Sequence, residues 1–430
     1  MMEKCEMKRI GIFIITTLLV ACSGLKRTVL TESQLEELQT AYENKHYFDL
    51  RDTLKRYDDI SSVILSYYRG VADNKFNRLE SSIKHLRTFI RHADEGADAD
   101  KIIDCRETLG DNYTKTFRYK KAAGAYRTIL DRFGDRLETY MRADMENYIR
   151  IFEALSDVPP QTAVIEAETK IELLDGGYIP LHINGQDVRL GLDTGANISF
   201  IMRSLAEKID IKIIDADINV DNVAGQAVLA DLGVAEEMAI GQAIIQNVIF
   251  LVFDDKDLYF EHAHFQIIGA IGFPAASSLK EITFHKMSAL SIPKVPHTFP
   301  HQNLCLDDLT PVIAGFYQAK RYAFCLDTGA GHSVLYVPFF REYEEELKAR
   351  YPLKSNRQQG VGGFRDIPAY VMNDVVLSFA GEDAIFHELP VLTDVTTDDS
   401  QYFFGNIGRD LLHQFDTMTI NFESMFVVFE

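Results

Sequence analysis

The tightest constraint on this chain is a doubled pentapeptide. Leu192-Asp193-Thr194-Gly195-Ala196 recurs as Leu326-Asp327-Thr328-Gly329-Ala330, 134 positions later. At average residue frequencies a given tripeptide such as Asp-Thr-Gly arises by chance on the order of 0.1 times in a chain of this length. Two copies in matching flanks therefore point to a duplicated unit. The surroundings repeat too: Val223-Ala224-Gly225 follows the first motif much as Val361-Gly362-Gly363 follows the second. Ile267-Ile268-Gly269-Ala270-Ile271-Gly272 matches Phe403-Phe404-Gly405-Asn406-Ile407-Gly408 at an offset of 136, and Ile282-Thr283-Phe284 matches Met418-Thr419-Ile420 in the same register. The chain from about Ala163 to Glu430 reads as two versions of one β-rich unit, residues 163–297 and 298–430.

The local pattern agrees with that division. Short apolar runs on either side of Asn184-Gly185 read as a β-hairpin, because that dipeptide tolerates the positive φ of a tight turn. Upstream, residues 31–157 carry apolar positions at three- and four-residue spacing and no proline until Pro159-Pro160, which predicts a helical domain that ends there. A faint repeat runs through it. Leu79, Ser82, Ile83, Leu86, Phe89 and Ile90 align with Tyr119, Ala122, Ala123, Tyr126, Ile129 and Leu130 at an offset of 40, and Tyr47, Leu50, Leu54 and Tyr57 echo the pattern at an offset of 32. This is similar to the helix pairs of tetratricopeptide-like repeats, in which small residues let helices approach closely; a plain helical bundle fits the same residues. Such a domain is either a docking surface for a protein partner or a support for the β units. The expected architecture is thus multidomain: an α-helical N-terminal domain, then an all-β two-lobed unit.

Composition limits the partners. The 430 residues carry a net charge of −20, from 44 Lys+Arg and 64 Asp+Glu. Residues 31–157 are near balance, with 21 basic and 24 acidic side chains, whereas the chain beyond 157 holds 18 basic and 38 acidic. Nucleic acid is excluded as a partner on this ground, since phosphate binding needs a basic face. The field of the acidic lobes favours neutral or basic ligands.

The paired Asp-Thr-Gly-Ala motifs, each followed by a glycine-bearing hairpin and an apolar-apolar-Gly turn, resemble those of retropepsin-like and pepsin-like aspartic peptidases. The resemblance covers roughly the C-terminal 270 residues and implies an all-β, two-lobed aspartic-peptidase fold. It implies that Asp193 and Asp327 are the catalytic pair, one from each lobe. Thr194 and Thr328 would then brace the two loops against each other, with the N–H groups of Gly195 and Gly329 facing the carboxylates. The chemistry suits these residue types. Two neighbouring carboxyls cannot ionise together and hold one proton between them, so the ionised one takes a proton from water while the protonated one polarises the carbonyl. No cofactor and no metal is called for. Pepsin-like chains commonly carry Ser after the Gly; Ala196 and Ala330 here lack that hydroxyl, which predicts activity nearer mild acid or neutral pH. Flaps are expected in both lobes, at Gly225 and at Val361, Gly362 and Gly363, as in two retropepsin subunits joined into one chain. A peptide-binding or adaptor protein that keeps the fold without turnover is the alternative.

The N-terminus has its own signature. Lys4, Lys8 and Arg9 precede an apolar stretch from Ile10 to Val20, the order of a secretory signal and too short to span a bilayer comfortably. Leu19-Val20-Ala21-Cys22 resembles the lipobox of bacterial lipoproteins, which implies a signal peptide over 1–22, lipidation at Cys22 and a tether over 23–30. An uncleaved membrane-anchoring helix is the competing reading. The lipoprotein reading places the chain outside the cytoplasm on a lipid anchor in the membrane, and the lack of Asp after Cys22 favours the bacterial outer membrane, on its periplasmic or surface face. The whole then reads as an extracytoplasmic, lipid-anchored aspartic endopeptidase acting on peptide or protein substrates.

Other candidates are weaker. Glu261-His262-Ala263-His264 lacks a third ligand at helical spacing, and Asp254-Asp255-Lys256-Asp257 lacks the alternation of a calcium loop. His332-Ser333 sit next to each other, which on a strand points them to opposite faces. Cys305 and Cys325 fit either one disulfide or two buried thiols.

Overall fold

The structure, a computed structural model, describes residues 30–221, 227–260, 264–361 and 363–430. Cys22 with the whole leader, Gly225 and Gly362 of the expected flaps, and Glu261, His262 and Ala263 lie outside the described residues. Among the described residues no helix is long and apolar enough to cross a membrane.

Thr31 opens the first helix through a capping box: its hydroxyl accepts the N–H of Gln34, and Gln34 Oε1 accepts the N–H of Thr31 at 2.9 Å. Seven helices follow one another, α1 (Glu32–Glu43), α2 (Tyr47–Lys55), α3 (Val63–Lys75), α4 (Leu79–His92), α5 (Ala99–Lys115), α6 (Tyr119–Phe133) and α7 (Thr139–Ala154). The apolar positions repeat in their burial, with Ile83, Leu86 and Phe89 matched by Ala123, Tyr126 and Ile129, and turns and glycines repeat with them. Lys45, Asn77 and Phe117, spaced by 32 and 40, all take positive φ in three-residue turns joining α1 to α2, α3 to α4 and α5 to α6. A Cβ on Gly70 would lie 2.6 Å from Leu86, and one on Gly110 would lie 2.6 Å from Tyr126. The same close contact therefore recurs at an offset of 40. Gly70 and Gly110 join the buried Ala122 and Ala123 as small residues on the packed faces of these helices.

Among the described residues the β region holds two eight-stranded sheets, one per lobe, a five-stranded sheet shared between them and a small two-stranded sheet. Asn184 (φ 50°) and Gly185 (φ 78°) make the expected tight turn between the strands Ile179–Ile183 and Gln186–Leu192. In the shared sheet, Glu281–His285 of the first lobe pairs antiparallel with Thr417–Asn421 of the second, so that Thr283 lies opposite Thr419. Their hydroxyls hydrogen-bond at 2.8 Å. Equivalent residues that face each other in this way mark a pseudo-twofold axis between the lobes.

The helical domain is bolted to both lobes by polar contacts. Asn147 of α7 exchanges two hydrogen bonds with the backbone of Asn219, and Arg150 donates to Asp217 O at 2.7 Å, both on the strand Lys212–Asp221. On the second lobe, Asp307 is buried between Lys45 at 2.6 Å, Lys75 at 2.7 Å and the Tyr47 hydroxyl at 2.6 Å. Burial alone would raise its pKa, but the two ammonium groups hold the Asp307 carboxyl well below the usual range.

The three cysteines among the described residues are thiols. Cys305 and Cys325 both lie opposite Val312, on the two sides of one strand. That puts them two strand spacings apart, about 10 Å, beyond the Cα separation a disulfide spans. With Cys105 they are buried free thiols.

Candidate active site

Each Asp-Thr-Gly turn is built the same way. The motif strand of the first lobe (Gln186–Leu192) runs parallel to Gly269–Ile271, and that of the second (Lys320–Leu326) runs parallel to Gly405–Ile407. The N–H of Asp193 continues the ladder to Ile271 O at 2.9 Å, and that of Asp327 to Ile407 O at 2.9 Å. The chain then leaves the sheet in a tight turn, so both aspartates stand at the strand ends, half-buried, where the lobes meet.

Thr194 and Thr328 tie the two turns together. Thr194 Oγ1 donates to Leu326 O at 2.7 Å and accepts the N–H of Thr328 at 3.0 Å. Thr328 Oγ1 donates to Leu192 O at 2.8 Å and accepts the N–H of Thr194 at 3.1 Å. Both threonines are buried. The hydroxyl suits this place because it gives and takes one hydrogen bond at once, satisfying a donor and an acceptor that water cannot reach.

The glycines decide how close the carboxyls come. A Cβ on Gly195 would lie 2.7 Å from Asp327 Cγ, and one on Gly329 would lie 2.4 Å from Asp193 Cγ. Each glycine thus packs against the carboxyl of the opposite lobe, which is what a side chain there would displace. The backbone donors face the carboxyl of their own lobe: Gly195 N–H reaches Asp193 Oδ1 at 2.9 Å, and the N–H groups of Gly329 and Ala330 reach Asp327 Oδ1 at 2.8 and 3.0 Å.

The electrostatics follow from this crowding. Burial first, then the charge of Asp327 and a hydrogen bond with it, push the Asp193 carboxyl up to about 8, against the opposing pull of the Gly195 and Ala196 N–H groups. A carboxyl so shifted keeps its proton through neutral pH.

Around this centre, the second-lobe hairpin closes tightly, with Gly360 opposite Gly363. Val361 at its tip packs against a first-lobe apolar cluster of Phe200, Ala230, Phe253, Leu258 and Ala270. The first-lobe hairpin is formed by Lys212–Asp221 and Ala227–Ile240. His332 is exposed while Ser333 turns inward, donating to Asp410 Oδ1 at 2.6 Å and accepting the N–H of Gly408 at 3.0 Å. Ser199 accepts the N–H of Gly272 at 3.0 Å in the first lobe. These serines anchor the turns behind the site, and Ser333 bonds Asp410 and Gly408 rather than His332. Sequence reading passed over one further contact, the amide Nδ2 of Asn406 on Asp327 Oδ2 at 2.9 Å. The signal was present as the single polar replacement in an otherwise apolar match, Ala270 against Asn406.

Comparison with known proteins agrees with this part of the chain. The aspartyl protease family model matches residues 179–275, which include the first motif. No curated protein matches the chain. Among solved structures, a retropepsin-like aspartic protease from Rickettsia conorii is similar at 20% identity, over 29% of this chain and 97% of that one, with a TM-score of 0.22. The functional reading rests on the site itself.

Proposed function

We propose that the chain is an aspartic endopeptidase in which Asp193 and Asp327 together activate water against a peptide bond. The observation that carries this reading is the packing of each carboxyl against the glycine of the opposite motif, which brings two acids to one point and lets them hold one proton. The protonated carboxyl hydrogen-bonds the scissile carbonyl, and the ionised one takes a proton from water as its oxygen attacks the carbon. The carbonyl oxygen receives the first proton, giving a tetrahedral diol. On collapse the amine nitrogen is protonated by the acid formed from the base, the C–N bond breaks, and a diol proton returns to the other carboxyl. The glycine hairpins supply a lid for an extended peptide.

The same reading extends to the rest of the chain. Lipidation at Cys22 would hold the enzyme outside the cytoplasm on a membrane, and the helical domain, with its repeated close-packed helix pairs, would present a docking face to a protein partner. The decisive test is cleavage of a mixed peptide library by the chain from Ser23, compared with Asp193→Asn and Asp327→Asn. Cleavage by the parent and loss in both variants is expected. Activity that survives either substitution overturns the dyad, and binding without cleavage at any pH would favour a peptide-binding protein. For the anchor, Cys22→Ala should move the full chain from the membrane to the soluble fraction; unchanged partition refutes lipidation there.

A further inference from the structure

The two lobes offer their carboxyls nearly the same backbone donors, yet one side chain breaks the symmetry. Gly405-Asn406-Ile407 occupies in the second lobe the place that Gly269-Ala270-Ile271 holds in the first, since Asn406 lies opposite Cys325 and Ala270 opposite Gly191, each two residues before the aspartate. Asn406 Nδ2 donates to Asp327 Oδ2 at 2.9 Å. The other oxygen, Oδ1, takes the N–H groups of Gly329 and Ala330. Both oxygens of Asp327 are thus hydrogen-bonded by donors, an arrangement that favours the ionised form because every bond is charge-assisted. The first lobe provides only a methyl group at this position. Ala270 itself packs in an apolar cluster with Phe200, Ala230, Phe253 and Leu258 and has no donor to offer a carboxyl. A carboxyl with fewer donors on its oxygens is held less strongly in the charged form.

We infer that Asn406 is the positioning residue that assigns the roles in the dyad, holding Asp327 as the ionised base and leaving the shared proton on Asp193. This rests on the peptidase reading given above and deepens it. Asp193 then donates to the substrate carbonyl, and Asp327 receives the proton of water. The upward shift of Asp193 to about 8 agrees with the direction of this assignment.

The test is Asn406→Ala, which installs the residue the first lobe already carries at this place and so leaves packing intact. In a peptidase assay kcat should fall about tenfold with KM within about twofold, because proton transfer rather than binding is perturbed. The acid limb of the pH–rate profile should move to higher pH. Asn406→Asp, which replaces the donor by a second charge, should move it further. An activity-independent readout separates this inference from the peptidase reading: carbon-13 NMR of carboxyl-labelled aspartate near pH 6, with the two signals assigned through Asp193→Asn and Asp327→Asn. The parent should show Asp193 at the protonated position and Asp327 at the ionised one, and Asn406→Ala should draw the two signals together. A protonated signal on Asp327 in the parent, or an unchanged separation in Asn406→Ala, overturns the assignment whether or not the protein cleaves peptides.

Discussion

Replacing Thr328 by Val tests whether the paired hydroxyls hold the two lobes in register. Valine keeps the branched shape and deletes the one group that donates to Leu192 O and accepts from the N–H of Thr194. Thr328 is 2% exposed and Thr194 0%, so water cannot replace what is lost. One backbone acceptor and one backbone donor are then buried unsatisfied, each costing about 1–3 kcal/mol. The expected loss is about 4 kcal/mol, a large share of the roughly 5–15 kcal/mol that stabilises a typical domain. The pseudo-twofold arrangement adds a sharper expectation. Thr194→Val orphans the equivalent pair, Leu326 O and Thr328 N–H, and should cost the same within about 1 kcal/mol. Urea denaturation followed by circular dichroism measures both. A loss below about 1 kcal/mol in either variant would refute the bracing role, and strongly unequal losses would refute the symmetry argument.

Two further outcomes follow from the charges. Asp193 binds its proton more tightly in the folded chain (about 8) than in an unfolded one (about 3.9). Its contribution to stability is therefore complete below about pH 4 and is lost as pH rises through about 8. Asp193→Asn should accordingly gain on the parent in melting temperature between pH 5 and pH 9, and a difference that does not change with pH contradicts the shift. At the domain junction, Asp307→Ala leaves Lys75 buried without its nearest counter-charge, at 10% side-chain exposure, and should cost about 3–5 kcal/mol. Replacing both, Asp307→Leu with Lys75→Met, should recover most of that loss. Recovery failing while each single variant is mild would mean the cluster is solvated.

The division between what was readable in the chain and what was not has a physical cause. Asp193, Thr194, Gly195 and their counterparts 134 residues on stand out because the site is built twice, and each copy needs the same acid, the same hydroxyl and the same missing Cβ. The start of the β region at Pro159-Pro160 and the Asn184-Gly185 hairpin are local matters of φ, and the residues declare them. The meaning of Gly70 and Gly110 was hidden, because their contacts with Leu86 and Tyr126 depend on how helices pair and leave no apolar signature. Asp307 read as one acid among many, since its partner Lys75 is 232 residues away and burial of a charge is settled only when a second domain closes over it. The fate of Cys305 and Cys325 turned on which strand lies between them. By itself, then, the sequence determined that two acids belong to one duplicated β unit behind a helical domain. Only the tertiary structure decided that Asn406 brings an amide donor to Asp327 while Ala270, which has none, holds the equivalent ladder position in the first lobe. Equal residues in equal motifs become unequal through contacts made far along the chain.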